Sequence, residues 1–307
     1  HLSQAEVEAV LPELLTQSER LWVVYAAVDD VDPAHYAERW LRTHAHAVWR
    51  TKDLSLYHPP LSPDAPTVHT NLAFGSSLVL EQVTYESKSI PAGEPLRLTL
   101  QWIPLHPLER DICLTLSLVD GTGHVWETTQ TTPNAWLSPP STWQPHHPVT
   151  NREGLTIPQG APPGEYTLRL MVTDIETGEP LPVNGEKAAD LLTIQVAEPI
   201  RPPALRQVLS HPEPTTFCSA DGTDCLTLSG YEPGGLRFQQ SYPVPLTLHW
   251  LSPARPLPEL ELDLRIAPRS WLPWRRSDQT ALVTHTLPLA PAYPTTAWPP
   301  DRLVTLP

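Results

Sequence analysis

The chain has 307 residues, which is long enough for two or three domains. Its formal net charge of −14 repels nucleic-acid phosphates and anionic lipid headgroups, so nucleic acid is not expected as a partner. Proline is the unusual component, at 39 residues against an average of about 5%. Because proline removes hydrogen bonds from helices, this density predicts a β-rich fold with proline in turns, sheet edges and linkers.

Residues 1–60 differ from the rest and predict a short α/β segment. Ser3 and Glu6 have the spacing of a capping box, so a helix is expected from there to about Leu15. The continuous apolar run at 21–28 predicts a strand that is buried on both faces.

A second helix and a returning strand complete this segment. Asp32 followed by Pro33 predicts a helix start, with apolar side chains at helical spacing behind it. The alternation at 54–57 predicts a strand, and Trp22 and Trp40 are expected to pack inside the segment. About 55 residues are too few for a stable domain, so we expect the end of a larger α/β domain.

The remainder predicts a mainly β fold with two tandem Ig-like or fibronectin-III-like β-sandwich modules. Short alternating strands recur between turn residues, for example at Leu96, Leu98, Leu100 and Trp102. The boundaries that we expect are a proline-rich linker at 61–71, a first module at 72–198, a linker at 199–216 and a second module at 217–307.

An internal repeat is the basis for two modules. A shift of 148 positions places Leu80 on Leu228 and Trp102 on Trp250, and both tryptophans are expected in a core between sheets. After a seven-residue insertion, Trp143 meets Trp298 and Val149 meets Val304. The second copy stops soon after Val304, so it is incomplete at its C-terminus. Either it is truncated or another segment supplies its missing strands.

Several of these stretches resemble the protein-mannosyltransferase-like (family 39-type) membrane glycosyltransferases, particularly forms from Chloroflexi-type bacteria. The similar stretches are Arg20-Leu-Trp-Val-Val-Tyr, Asp32-Pro33, Glu38-Arg-Trp-Leu41, His44-Ala45, Leu54-Ser-Leu-Tyr57, Pro91 to Trp102 and Pro162 to Leu168. The resemblance implies an extracytoplasmic α/β element followed by β-sandwich modules. It also implies a membrane domain upstream as a partner and no catalytic residue in this chain, because that family's catalytic acid lies near the first membrane span.

The leading hypothesis is therefore a non-catalytic extracytoplasmic accessory region of a membrane glycosyltransferase. It would serve as a spacer, a docking surface or a glycan-contacting module, with cell-envelope glycan as a candidate partner. The alternative is an independent carbohydrate-binding or adhesion protein of the cell surface. A third reading, an enzyme in its own right, has the least support in the sequence.

Catalytic, metal and cofactor sites are not expected. Asp29, Asp30 and Asp32 lie together after a strand, but Asp32 already has a capping role. His44 and His46 are two residues apart, so on a helix they point to different sides. His146 and His147 lie in a proline-flanked loop without a third ligand.

Cysteine and tryptophan supply the candidate sites. Cys218 and Cys225 flank an Asp-Gly turn that would bring their sulfurs together in an oxidising compartment, whereas Cys113 is expected to be a buried thiol. Tryptophans in loops with polar neighbours can form platforms for sugar rings. The candidates are Trp136, Trp143, Trp271, Trp274 and Trp298, of which Trp136 and Trp271 are favoured. Trp143 and Trp298 occupy equivalent repeat positions, which favours a structural role for these two.

Overall fold

A computed structural model describes residues 2–25, 28–50, 54–134, 137–198, 214–233, 246–266, 283–289, 293–298 and 303–306. The structure is mainly β and divides into two compact units, His1–Pro199 and Ile200–Pro307. No helix in the described residues has the length and apolar character needed to cross a membrane.

The described part of unit 1 contains two sheets and three helices. Its helices are α1 (Gln4–Gln17), α2 (Val28–Val31) and α3 (Tyr36–His44). Its strands are β1 (Leu21–Val24), β2 (His46–Arg50), β3 (Leu54–His58), β4 (Thr67–Phe74), β5 (Leu78–Tyr85), β6 (Ser89–Pro91), β7 (Pro95–Pro104), β8 (Ile112–Asp120), β9 (Val125–Thr131), β10 (Val149–Thr156), β11 (Gly164–Asp174) and β12 (Ala189–Ala197). One sheet has the order β1-β3-β2-β10-β7-β5-β4, and the other has the order β6-β12-β11-β8-β9.

The two sheets of unit 1 form a β-sandwich whose interior follows the predicted alternation. Every second residue of β7, from Leu96 to Trp102, is fully buried. The facing sheet contributes buried side chains in the same way from its two central strands: Leu114, Leu116, Leu118, Tyr166, Leu168, Leu170 and Val172. The period-2 pattern of the sequence therefore identified the core of this unit.

Within this chain, the α/β segment belongs to unit 1. Its strand β2 pairs in parallel with β10, with Ala47 beside Glu153, so its three strands extend the larger sheet. Gly154 permits this approach, because a Cβ there would lie 2.3 Å from Cγ1 of Val48. The predicted linker is also shorter than 61–71, since β4 begins at Thr67.

Of the two helix starts that the sequence predicted, the first is confirmed and the second is displaced by a few residues. The capping box is confirmed: the backbone N–H of Ser3 donates to Oε2 of Glu6 at 2.8 Å, and that of Glu6 donates to Oγ of Ser3 at 3.3 Å. The second predicted start, at Asp32-Pro33, lies before the actual one. Asp32 accepts hydrogen bonds from the backbone N–H groups of Tyr36 and Ala37, so it caps α3 from four residues upstream.

Unit 2 has strands β13 (Thr215–Cys218), β14 (Cys225–Pro233), β15 (Leu246–Leu251), β16 (Glu261–Ile266), β17 (Val283–Pro288) and β18 (Leu303–Leu306). Its described strands form a sheet with the order β13-β14-β15-β18 and a pair, β16-β17.

The strand ladders of the two units follow the predicted repeat. Leu80 lies opposite Trp102 in unit 1, and Leu228 lies opposite Trp250 in unit 2. On the other side, the two tryptophans lie opposite Val149 and Val304. Even the β-bulge recurs, between Leu80 and Gln82 in β5 and between Leu228 and Gly230 in β14.

Candidate functional site

The helices cover only one face of the sheet formed by β1, β3 and β2. Leu15 and Leu41 pack against Ala47 and Tyr57 on that face, with partly buried neighbours from β1 alongside. The opposite face carries Trp22, Val24, Leu54, Leu56 and Trp49, which we call the aromatic face. The sequence predicted that the run at 21–28 is buried on both faces and that Trp22 packs inside. Both predictions are wrong, because Trp22 is 55% exposed and Val24 69% exposed.

A short row across three strands sets the geometry of the aromatic face. Trp22 and Trp49 both lie opposite Leu56, one on each neighbouring strand. Their ring centroids are 5.8 Å apart with an interplanar angle of 69°, an edge-to-face contact. Trp49 is 44% exposed, so both rings present apolar surface to solvent above Leu56.

A β-bulge places Trp49 on this face. Ala47 pairs with Tyr57 and points to the helices, and the register then shifts so that Trp49 pairs with Leu56. Val48 is the extra residue, and it is buried against Gly154. A bulge re-aims the side chains that follow it, and this is not visible in a period-2 reading of the sequence.

Two described arginines that flank strands of the aromatic face, Arg50 and Arg20, form ion pairs away from it. The guanidinium of Arg50 donates to Oε2 of Glu153 at 3.0 Å, on the helix-covered side of the sheet. Burial works against its charge, yet the Glu153 carboxylate raises the pKa of Arg50 above its ordinary value. Arg20 pairs with Glu94 at 2.8 Å. The described part of the aromatic face is therefore an exposed apolar surface built around Trp22, Leu56 and Trp49.

Two of the tryptophans proposed from the sequence have no such exposed surface. Trp143 is 4% exposed and Trp298 is 5% exposed. Each follows a 3₁₀ turn, at Pro140–Thr142 and Thr295–Ala297. Each indole N–H also donates to a backbone carbonyl five residues earlier, that of Ser138 at 2.9 Å and that of Tyr293 at 2.8 Å. They fix the two loops, and a sugar-platform role does not fit them. Trp136, Trp271 and Trp274 lie outside the described residues.

A disulfide joins Cys218 and Cys225, as the turn between them suggested. The side chain of Asp221 accepts hydrogen bonds from Oγ of Ser219 and from Thr223, which shape the turn and lower the pKa of Asp221 to about 2. Cys113 is a free thiol that is only partly buried, whereas the sequence predicted a buried one, and burial raises its pKa.

The described histidines have separate surroundings. His46 is fully buried in β2, with its ring nitrogens 3.0 Å from Oγ1 of Thr99 and 3.3 Å from the carbonyl oxygen of Pro59. His44 ends α3 and stacks on Trp40 at 4.3 Å. Within the described ranges, no three His, Cys, Asp or Glu side chains lie close enough together to hold a metal ion.

A concave site, separate from the aromatic face, lies at the C-terminal end of α1. Its volume is about 580 Å³, and its lining includes Leu15, Glu19, Trp40, His44 and Arg152. The sequence placed Trp40 inside the segment, and its ring is indeed packed on one side by the core but reaches this cleft. Because His44 stacks on the ring of Trp40, the cleft offers less open aromatic surface than the aromatic face does.

No protein-family model matches the chain, and no curated protein matches it. Among solved structures, it is similar to the C-terminal domain of Wzt at 7% identity and a TM-score of 0.31, over 47% of this chain and 84% of that one. A CARDB domain from Pyrococcus furiosus in complex with di-metal ions matches at 12% identity and a TM-score of 0.24, over 39% and 90%. A β-glucosidase from Listeria innocua in complex with glucose matches at 14% identity and a TM-score of 0.23, over 39% and 16%. These likenesses are too distant to indicate a function.

Proposed function

We propose that this chain is a non-catalytic, extracytoplasmic accessory region that contacts a glycan through its aromatic face. The proposal depends on the pair formed by Trp22 and Trp49. Both side chains are more than two-fifths exposed, and their rings are in edge-to-face contact on the surface of the sheet. Exposed aromatic pairs of this size are rarely neutral on a protein surface. An indole ring offers a flat apolar surface together with a polar N–H, which matches the C–H and hydroxyl groups of a sugar.

The architecture that we propose is a pair of tandem β-sandwich modules, the first of which includes the α/β segment. The repeated ladder positions of Trp102 and Trp250 support it, and so do the two equivalent tryptophan loops. The disulfide is compatible with an oxidising, extracytoplasmic compartment. The resemblance to protein-mannosyltransferase-like enzymes supports a parent membrane glycosyltransferase, whose membrane domain would be the tethering partner.

The alternative is an independent carbohydrate-binding or adhesion protein of the cell surface. It uses the same aromatic face, so ligand binding alone does not separate the two. A longer reading frame with many apolar spans upstream of His1 supports the accessory region. A reading frame with only an export signal there supports the independent protein.

Glycan binding is tested with immobilised cell-envelope polysaccharide and the full chain. We expect Trp22→Ala and Trp49→Ala each to weaken retention about fivefold, since aromatic stacking contributes about 1 kcal/mol. Ile175→Ala is the matched control, because Ile175 is 48% exposed but lies on a turn far along the chain. Equal retention of all three variants, or no retention of the unmodified chain, would remove the glycan-contacting role.

A further inference from the structure

The cleft at the C-terminal end of α1 contains an arginine whose charge is not paired. Arg152 lies in β10, opposite Thr99 of β7, and its side chain lines the cleft. Within the part of the chain that the structure describes, its guanidinium forms no ion pair and no hydrogen bond. The volume of about 580 Å³ is within the range of about 300–1,000 Å³ that is usual for small-molecule sites.

The neighbours of Arg152 explain why its charge is not neutralised. Glu153 follows it in β10, but successive side chains of a strand point to opposite faces, and Glu153 pairs with Arg50 at 3.0 Å. Arg97 lies two residues before Thr99 on the neighbouring strand, and it pairs with Glu86 at 2.9 Å. The nearby carboxylates are therefore bound to other arginines.

Burial makes this unpaired charge costly. It lowers the pKa of Arg152 below its ordinary value, and no carboxylate acts in the opposite direction. Glu19 also lines the cleft, but among the described contacts it forms no ion pair with Arg152. A partly buried cation without a counter-ion is stabilised by an anion that enters the cleft.

The aromatic wall of the cleft offers an apolar surface and a ring nitrogen. His44 stacks on Trp40 with 4.3 Å between ring centroids, and Pro60 adds apolar surface beside them. The Nδ1 atom of His44 lies 2.8 Å from the carbonyl oxygen of Trp40. Because a carbonyl only accepts hydrogen bonds, Nδ1 carries the proton, and Nε2 can accept a hydrogen bond from a ligand hydroxyl.

The end of α1 adds further acceptors. The last four carbonyls of a helix have no partner within it, and Thr16, Gln17 and Ser18 at the end of α1 line the cleft. The C-terminal end of a helix is negative, and the last turn of α1 carries no basic side chain. Together with Glu19 and the net charge of −14, this favours a ligand that has several hydroxyl donors and a single negative charge.

We infer that this cleft binds an acidic sugar, namely an isolated uronic acid within a glycan. Its carboxylate accepts two parallel hydrogen bonds from the guanidinium of Arg152. Its hydroxyl groups donate to the carbonyls at the end of α1 and to Nε2 of His44, and its C–H groups lie against Trp40. A phosphate group fits less well, because it has a higher charge and few donors. The inference concerns a second site and does not depend on the aromatic face.

The probes are methyl glucuronide and methyl glucoside, which differ only in the carboxylate. Each is titrated into the full chain, and nitrogen-15 NMR follows the indole N–H of Trp40 and the side-chain N–H of Arg152. We expect a saturable shift of both signals with the glucuronide and at least about tenfold weaker binding of the glucoside, which lacks the charged hydrogen bonds. Acetate and inorganic phosphate, which lack a sugar ring, are expected to bind more weakly than the glucuronide.

Variants of the arginine separate its role from a general effect of charge. Arg152→Gln should abolish the preference for the glucuronide, and Arg152→Lys should retain only part of it, because lysine keeps the charge without the planar fork. Both variants should fold, since the guanidinium has no partner to lose among the described residues. Arg169→Gln is the matched control, because Arg169 is an exposed arginine on β11 in the other sheet of unit 1.

The outcomes for this cleft and for the aromatic face are distinguishable. Trp22→Ala should leave the preference for the glucuronide unchanged, since Trp22 does not line the cleft. Equal affinity for the two sugars, a preference that survives in Arg152→Gln, acetate or phosphate binding as tightly as the glucuronide, or no binding of the glucuronide would overturn the inference. Shifts at Trp22 and Trp49 without a shift at Trp40 would also overturn it and would support the aromatic face alone.

Discussion

Trp102 and Trp250 hold the same place in two strand ladders, each between a leucine on one neighbouring strand and a valine on the other. Both indole N–H groups are buried, and neither finds a hydrogen-bond partner among the described residues. Trp143 and Trp298 are equally buried, but their indole N–H groups donate to carbonyls. The chain therefore offers two pairs of core tryptophans that differ in one hydrogen bond.

This difference predicts unequal costs of a Trp→Phe substitution. Trp143→Phe leaves the carbonyl of Ser138 without its donor and should lower the free energy of unfolding of unit 1 by about 1–2 kcal/mol. Trp102→Phe leaves a small cavity, but it also removes a buried N–H that has no partner among the described residues. Because the loss of this unpaired N–H offsets part of the cost of the cavity, the free energy of unfolding should fall by less than about 1 kcal/mol. Denaturant titration of the two variants measures both values. A larger loss for Trp102→Phe would contradict the assigned roles.

Acid should destabilise unit 1 through His46. Burial lowers the pKa of His46 to about 3, against an ordinary value of 6.5, so the unfolded chain binds this proton more readily. Stability from this group is fully present above pH 6.5 and is lost as the pH falls toward 3. Between pH 7 and pH 4 the loss amounts to about 3 kcal/mol. His46→Asn should flatten the pH dependence of the unfolding free energy by about that amount, and an unchanged slope would show that His46 titrates normally.

The disulfide should stabilise unit 2. The hairpin from Phe217 to Leu226 is longer than its counterpart from Phe74 to Leu78, and Cys218–Cys225 closes it. Removing a cross-link across so short a loop costs about 2 kcal/mol in the chain-entropy account. Cys218→Ser with Cys225→Ser should therefore lower the midpoint of unfolding of unit 2, and Cys113→Ser serves as the control. Hydrogen exchange resolves the two units, and equal stability with and without the bond would contradict the prediction.

The attachment of the α/β segment depends on Gly154. A methyl group at this position would lie 2.3 Å from Cγ1 of Val48, well inside normal contact distance. Gly154→Ala should therefore destabilise the pairing of β2 with β10 by about 1–3 kcal/mol. Gly121→Ala is the control, because a Cβ there meets nothing within 4 Å. Limited proteolysis between residues 20 and 60 measures the effect, and equal cleavage of the two variants would show that the segment is held elsewhere.

Local patterns in the sequence predicted the sandwich core well. Leucines at alternate positions of β7 and β8 are buried because strand side chains alternate between faces, and this depends on neighbouring residues alone. The capping box of α1 and the turn between the cysteines depend on equally short separations. Local chemistry is visible in the sequence, and these features were found there.

Features set by distant partners were missed. The parallel pairing of Ala47 with Glu153 spans more than a hundred residues and has no local signature, so the sequence did not predict that the α/β segment extends the larger sheet. The exposure of Trp22 was missed for a similar reason. The apolar run at 21–28 predicts burial on both faces only if other elements of the fold cover both faces. Trp49 lies on the exposed face because of a β-bulge at Val48. The alternation of apolar and polar residues in the sequence does not reveal such a bulge.

The account is tested most directly by the 11 tryptophan indole signals in a nitrogen-15 NMR spectrum of the full chain during titration with cell-envelope oligosaccharide. We predict that the indole signals of Trp22 and Trp49 shift together and saturate, while those of the buried Trp143 and Trp298 stay fixed. Shifts confined to Trp40 would move the contact to the cleft beside α1, and a spectrum in which no indole signal responds would contradict the glycan-contacting role.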